Sequence, residues 1–133
     1  MHKRVIRWII LSGLLLAGGS GCGSEAGVTA PLIPVKGKVT YKGQPLDKGV
    51  IKFEPDGGYG RKASGPLQSD GTFVLTTDKE GDGVVAGHHK VSINGTGSHP
   101  ARELVPKKYT LRASSPLSAD VDTEHAEFTF DLN

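Results

Sequence analysis

The chain has 133 residues, 23% charged and 36% hydrophobic, which fits one small globular domain with a short appendage and excludes a second core of ordinary size. Its formal charge of +2 belongs to the N-terminus: of the 16 Lys and Arg side chains, Lys3, Arg4 and Arg7 precede the first apolar run, leaving 13 against 14 acidic groups. A near-neutral body without a Lys/Arg run offers nucleic acid no electrostatic footprint, and a single cysteine, Cys22, excludes an internal disulfide.

Met1 to Arg7 is a positive n-region and Trp8 to Ala17 an apolar h-region. Ten helical residues rise about 15 Å, half the hydrocarbon core, so the segment reads as an export signal rather than a spanning helix. Gly18 to Gly21 then form a small, extended approach to Cys22. This arrangement over residues 1–21 looks like a bacterial lipoprotein signal. That likeness implies that Cys22 takes a diacylglyceryl group on sulfur, becomes the new N-terminus and carries further acyl (palmitate-type) chains. The large aliphatic residue usual three places before the cysteine is Gly19 here. An ordinary secretory signal cut near Ala17 to Gly21 is the alternative, and it would leave Cys22 a free terminal thiol. Two or three chains make attachment lasting, because each buried methylene adds about 0.8 kcal/mol of membrane affinity. Residues 22–34 hold that cysteine and a small, polar, proline-flanked tether of about 20 Å root-mean-square span. Gly23, in place of the aspartate associated with inner-membrane retention, points to an outer membrane, at its periplasmic or surface face.

From Val35 to Asn133 the period is two. "VKGKVTY" places Val35, Gly37, Val39 and Tyr41 on one face and Lys36, Lys38 and Thr40 on the other. "KGQP" is a turn, and "VIKF" resumes with Ile51 and Phe53 inward until Pro55 and the glycines behind it. A short polar strand is expected within Arg61–Leu67. Asp70-Gly71 is a hairpin signal ahead of Phe73 and Leu75. Asp78 to Gly87 reads as a loop, "HHKVSI" as a strand with His89, Val91 and Ile93 inward, and Asn94 to Pro116 as irregular. "LSADV" and "EFTFDL" close the chain, the latter with Phe128, Phe130 and Leu132 opposite Glu127, Thr129 and Asp131. About seven short strands separated by turns predict an all-β, seven-stranded antiparallel β-sandwich.

The order "VKGKVTYKGQPLDKGVIKFEP", "ASGPLQSDGTFVLTT", "GDGVVAGHHKVSI", "LVPKKY", "AEFTFDL" resembles the carboxypeptidase regulatory-like, or transthyretin-like, domains of small bacterial lipoproteins. The resemblance spans Val35 to Leu132 and rests on Gly37, Val39, Gly43, Pro45 and Leu46, then on Asp70, Gly71, Phe73 and Leu75. It continues in Gly87, Val91 and Ile93, with His89 where tyrosine is usual. It implies a prealbumin-like seven-stranded sandwich without catalysis, whose partner lies on another chain.

Several groups of residues could carry chemistry. "DKEGDG" matches half of a calcium loop, with Asp78, Glu80 and Asp82 as oxygen ligands, but the bidentate glutamate such a loop needs falls on His89. The other reading is a solvated acidic turn. His88 and His89 point to opposite faces of one strand and cannot share an ion. His99 and His125 lie in loops, and no zinc-ligand spacing is present. There is no nucleophile elbow. Tyr109, beside Lys107 and Lys108, could stack on a sugar or meet an acidic partner. It could equally plug an open end of the sandwich. These readings lead to a non-enzymatic, cofactor-free, lipid-anchored cell-envelope protein acting as a structural or interaction module, held to the membrane by its anchor. The alternative is a carbohydrate- or peptide-binding accessory domain for a surface hydrolase. Its partner would be another envelope protein or a glycan.

Overall fold

Alternation of apolar and polar side chains becomes strand wherever it occurs in residues 30–57, 60–94 and 105–133, which a computed structural model of the protein describes. These residues are all-β, with ten strands and one 3-10 turn, Lys107–Tyr109. The proposed leader, Cys22 and most of the tether lie outside the described residues.

One four-stranded sheet is built on β2 (Lys36–Tyr41). It pairs with β3 (Gln44–Pro45) and β6 (Thr72–Val74) antiparallel, and with β10 (Glu127–Leu132) in parallel. The second sheet has the order β5 (Ala63–Pro66), β4 (Val50–Pro55), β8 (Gly87–Asn94), β9 (Ser118–Val121), all antiparallel. Two further strands, β1 (Leu32–Ile33) and β7 (Val84–Val85), pair antiparallel with each other.

Three local expectations are corrected. The parallel β2–β10 pair breaks a wholly antiparallel scheme: β10 follows β9 of the opposite sheet through the Asp122 to Ala126 turn and enters beside β2 in the same direction as β2. Leu32 and Ile33, expected within a tether reaching residue 34, instead pair with Val85 and Val84. That pairing also puts a strand inside the Asp78–Gly87 loop. The approach is close: a Cβ at Gly83 would lie 1.9 Å from the Ile33 carbonyl oxygen.

Turn chemistry follows the sequence. Lys42 and Gly43 both have positive φ, 51° and 79°, the twist a two-residue hairpin between β2 and β3 requires. Gly71, at φ 80°, closes the Asp70 turn, and its carbonyl accepts from the Val39 N–H at 2.9 Å. The two sheets are stitched along one side by the reciprocal Ser64–Thr76 bridge, at 2.9 and 2.8 Å.

The sandwich-like core lies between the sheets. Phe53 of β4 is fully enclosed, and its ring centroid lies 6.3, 5.8 and 6.1 Å from those of Phe73, Phe128 and Phe130 on the facing sheet. Tilted and edge-on rings at such distances gain about 1 kcal/mol per pair beyond area burial. Val35, Val39, Ile51, Leu75, Val91 and Ile93 are buried around them, as the alternation predicts.

Space for the rings depends on Gly37. A Cβ there would fall 2.0 Å from the Phe128 carbonyl oxygen and 2.6 Å from Phe73 Cζ, so backbone and ring would both have to move. Gly37→Ala is therefore expected to lower unfolding stability by about 3 kcal/mol, the upper range for an overpacked core. Urea denaturation of the two proteins side by side, with unchanged m-values, checks this.

Candidate functional site

Among the residues singled out for recognition, Tyr109 is not available as a stacking platform. It is 4% exposed, with the Lys108 ammonium 4.8 Å from its ring centroid. Its hydroxyl accepts from the Asn133 N–H at 3.2 Å and faces the Asn133 carbonyl at 3.4 Å, so the ring ties the 3-10 turn to the end of β10. The Asn133 hydrogen bond holds the phenol below its ordinary range. Lys107 and Lys108 are exposed.

The Asp78–Gly83 turn is organised from within. Asp82 accepts the N–H groups of Thr77 at 2.7 Å, Asp78 at 2.9 Å and Lys79 at 2.7 Å. Partial burial raises its carboxyl, but the Thr77 and Lys79 donors and the charge of Arg61 outweigh burial and hold it below the usual carboxylate range. Asp78 pairs with Arg61, and Glu80 turns elsewhere, onto a groove described below. Among the described residues no three His, Cys, Asp or Glu side chains are grouped to hold a metal ion.

The strand pleat separates the two adjacent histidines. His88 faces out, with Nδ1 2.6 Å from Asp120 and Nε2 3.9 Å from Asp56. Arg112 reaches the same corner, 3.5 Å from both Glu54 and Asp56. His89 is 1% exposed, its ring 6.0 Å from that of Phe53. Its Nδ1 donates to the Gly87 carbonyl at 2.9 Å, which leaves Nε2 buried with no hydrogen-bond partner among the described residues. Burial lowers the affinity of this imidazole for a proton. His125 sits on the Asp122 turn at 2.9 Å, and His99 lies outside the described residues.

Sequence reasoning assigned no role to the outer face of the β10–β2–β6 sheet, where a groove of about 770 Å³ opens. Its floor is set by register: Lys36 has Glu127 of β10 on one side and Val74 of β6 on the other, with Thr129 and Thr72 similarly flanking Lys38. Glu80 and Gly81, from the turn after β6, close the far rim. A second depression of about 440 Å³ continues it past Lys36, Val74 and Glu127 to Pro34 and Ala126. Val74 is one of two large hydrophobic side chains markedly exposed among the described residues, at 52%. The alternation had already turned these side chains outward; only strand pairing, which periodicity does not encode, brings them together.

Two outcomes follow. Because the folded state lowers the proton affinity of His89, stability from this residue is complete above its unfolded value of 6.5 and is lost as pH falls below it. The loss is expected to have a slope of at most about 1.4 kcal/mol per pH unit. His89→Phe should flatten the fall of denaturation midpoints below about pH 6.5, leaving acid unfolding to the carboxylates. Tyr109→Phe, measured the same way at neutral pH, should cost about 1 kcal/mol through the Asn133 hydrogen bond.

In comparisons with known proteins, no family model, no curated protein and no solved structure matches this chain.

Proposed function

We propose that the protein is a lipid-anchored component of a bacterial cell envelope whose transthyretin-like β-sandwich is a non-catalytic interaction module. The observation that carries this reading is the run from Lys3 to Cys22: three cations, ten mostly apolar residues, a small-residue approach and the chain's single cysteine. Two facing four-stranded sheets in an all-β domain are compatible with the resemblance to carboxypeptidase regulatory-like domains.

The fate of the polar groups supports a binding rather than a chemical role. Asp82 is engaged in shaping its turn, His89 and Tyr109 are enclosed, and His125 is held by Asp122. The groove over β2 favours the binding-domain version of the reading, since long exposed side chains converge there on a rigid sheet.

Substitution of the cysteine tests the anchor. Cys22→Ala is expected to shift the protein to the soluble fraction, or to leave it at precursor mass, in membrane fractionation followed by intact-mass measurement. A variant as membrane-bound and as fully processed as the parent would refute lipidation.

A further inference from the structure

Several charged residues around the second sheet are paired: Arg61 with Asp78, Lys62 with Glu54, Arg112 with Glu54 and Asp56, while Lys52 and Lys90 on that sheet enter no ion pair among the described residues. In the groove on the first sheet, among the described residues, Lys36, Lys38, Glu80 and Glu127 enter no ion pair. All four are exposed, although Glu127 stands directly across from Lys36. Their long side chains are thus unengaged and line one concavity.

Their order across the groove is negative, positive, negative: Glu127 on β10, the lysine row on β2, Glu80 beyond β6. Lys36 and Lys38 are two residues apart on one strand, so their stems rise about 7 Å apart from the same face. Pro34 lies two residues before Lys36, and the depression there is lined by Ala126 and the exposed Val74 beside Glu124 and Glu127. An extended peptide presents every second side chain to one side at this spacing. The rim carboxylates repel polyanions, which excludes them by charge. No aromatic face is offered to a sugar ring, since Phe73, the aromatic residue against the groove, is 1% exposed.

We propose that this groove binds an extended, amphoteric peptide segment of a partner protein. The segment lies along β2 with acidic side chains at alternate positions over Lys38 and Lys36. The next side chain on that face is small and apolar and fills the depression at Pro34 and Ala126. Flanking basic side chains turn outward to Glu127 and Glu80. The proposal deepens the interaction-module reading and rests on it, but not on the anchor.

The test uses the full chain in detergent and a fluorescent hexapeptide, Lys-Glu-Ala-Glu-Lys-Val, whose two glutamates and valine share one face when extended. Fluorescence anisotropy should show saturable binding that weakens as salt shortens the Debye length. Lys36→Glu with Lys38→Glu should weaken it about tenfold or more. The charge-matched control Lys52→Glu with Lys107→Glu, outside the groove, should leave it unchanged. A scrambled peptide with adjacent glutamates, which point to opposite sides, should bind more weakly, and dextran sulfate should not displace the probe. No saturable binding at about millimolar peptide overturns the proposal. So does equal affinity in the Lys36 and Lys38 variant, or displacement by dextran sulfate. None of these results bears on Cys22, so failure of the groove and failure of the anchor are read separately.

Discussion

The contact between Phe53 and the three phenylalanines of the facing sheet is the constraint on which the rest of the domain depends. The chain has one cysteine, so no disulfide within it can clamp the sheets together, and their attachment relies on apolar area and ring geometry. Phe53 spans the interface from β4, while Phe128 and Phe130 stack on each other at 6.3 Å with planes 13° apart. The cluster fits because Gly37 contributes no side chain beneath it. A glycine inside a strand weakens pairing, and here that cost is offset by room for a ring. Register follows as well: shifting β2 by one residue would remove the vacancy and carry Val39 to the solvent face.

Polar groups around that core serve two different ends. At the margins they are consumed in holding turns: Asp82 accepts three N–H groups, Asp70 accepts from both the hydroxyl and the N–H of Thr72, and Asp122 supports Glu124 and His125. The side-chain hydrogen bond from Thr72 holds Asp70 below the usual carboxylate range, and that from His125 does the same for Asp122. Carboxylates used in this way hold turns, and of the three acidic residues that resemble a calcium loop in the sequence Asp82 is one of them. In the groove on the β10–β2–β6 face, Lys36, Lys38, Glu80 and Glu127 instead enter no ion pair among the described residues. The orphaned Nε2 of His89 serves neither end, being a polar atom in the aromatic layer that is tolerated while the ring stays neutral.

Side-chain alternation made the long strands legible. Val35 and Val39, Ile51 and Phe53, Phe73 and Leu75, and His89, Val91 and Ile93 all turn inward as the period-two pattern requires. It could not reveal β1 and β7, because two residues carry no period, and it assigned Leu32 and Ile33 to a tether. It was silent on the parallel pairing of β10, since the partner of a strand depends on chain path and not on the residues of that strand. For Tyr109 both a recognition role and a plug were open, and its burial beside Asn133 depends on chain path that periodicity does not encode. The groove was invisible for a related reason. Lys36, Lys38, Glu127 and Val74 each look like ordinary surface positions until three strands and a turn are placed side by side.

The parallel strand pair also governs the order in which the domain can form. Thr40 and Asp131, which share a side-chain hydrogen bond, are 91 residues apart. The other partners of β2, β3 and β6, lie much nearer along the chain. A polypeptide emerging N-terminus first, from a ribosome or through a narrow pore, can therefore assemble the hairpins early, but one edge of β2 stays open until Glu127 to Leu132 arrive. Such distant pairing is slow, and until it is made the ring cluster lacks Phe128 and Phe130. Until then the first sheet is one strand short and the aromatic layer holds two of its four phenylalanines.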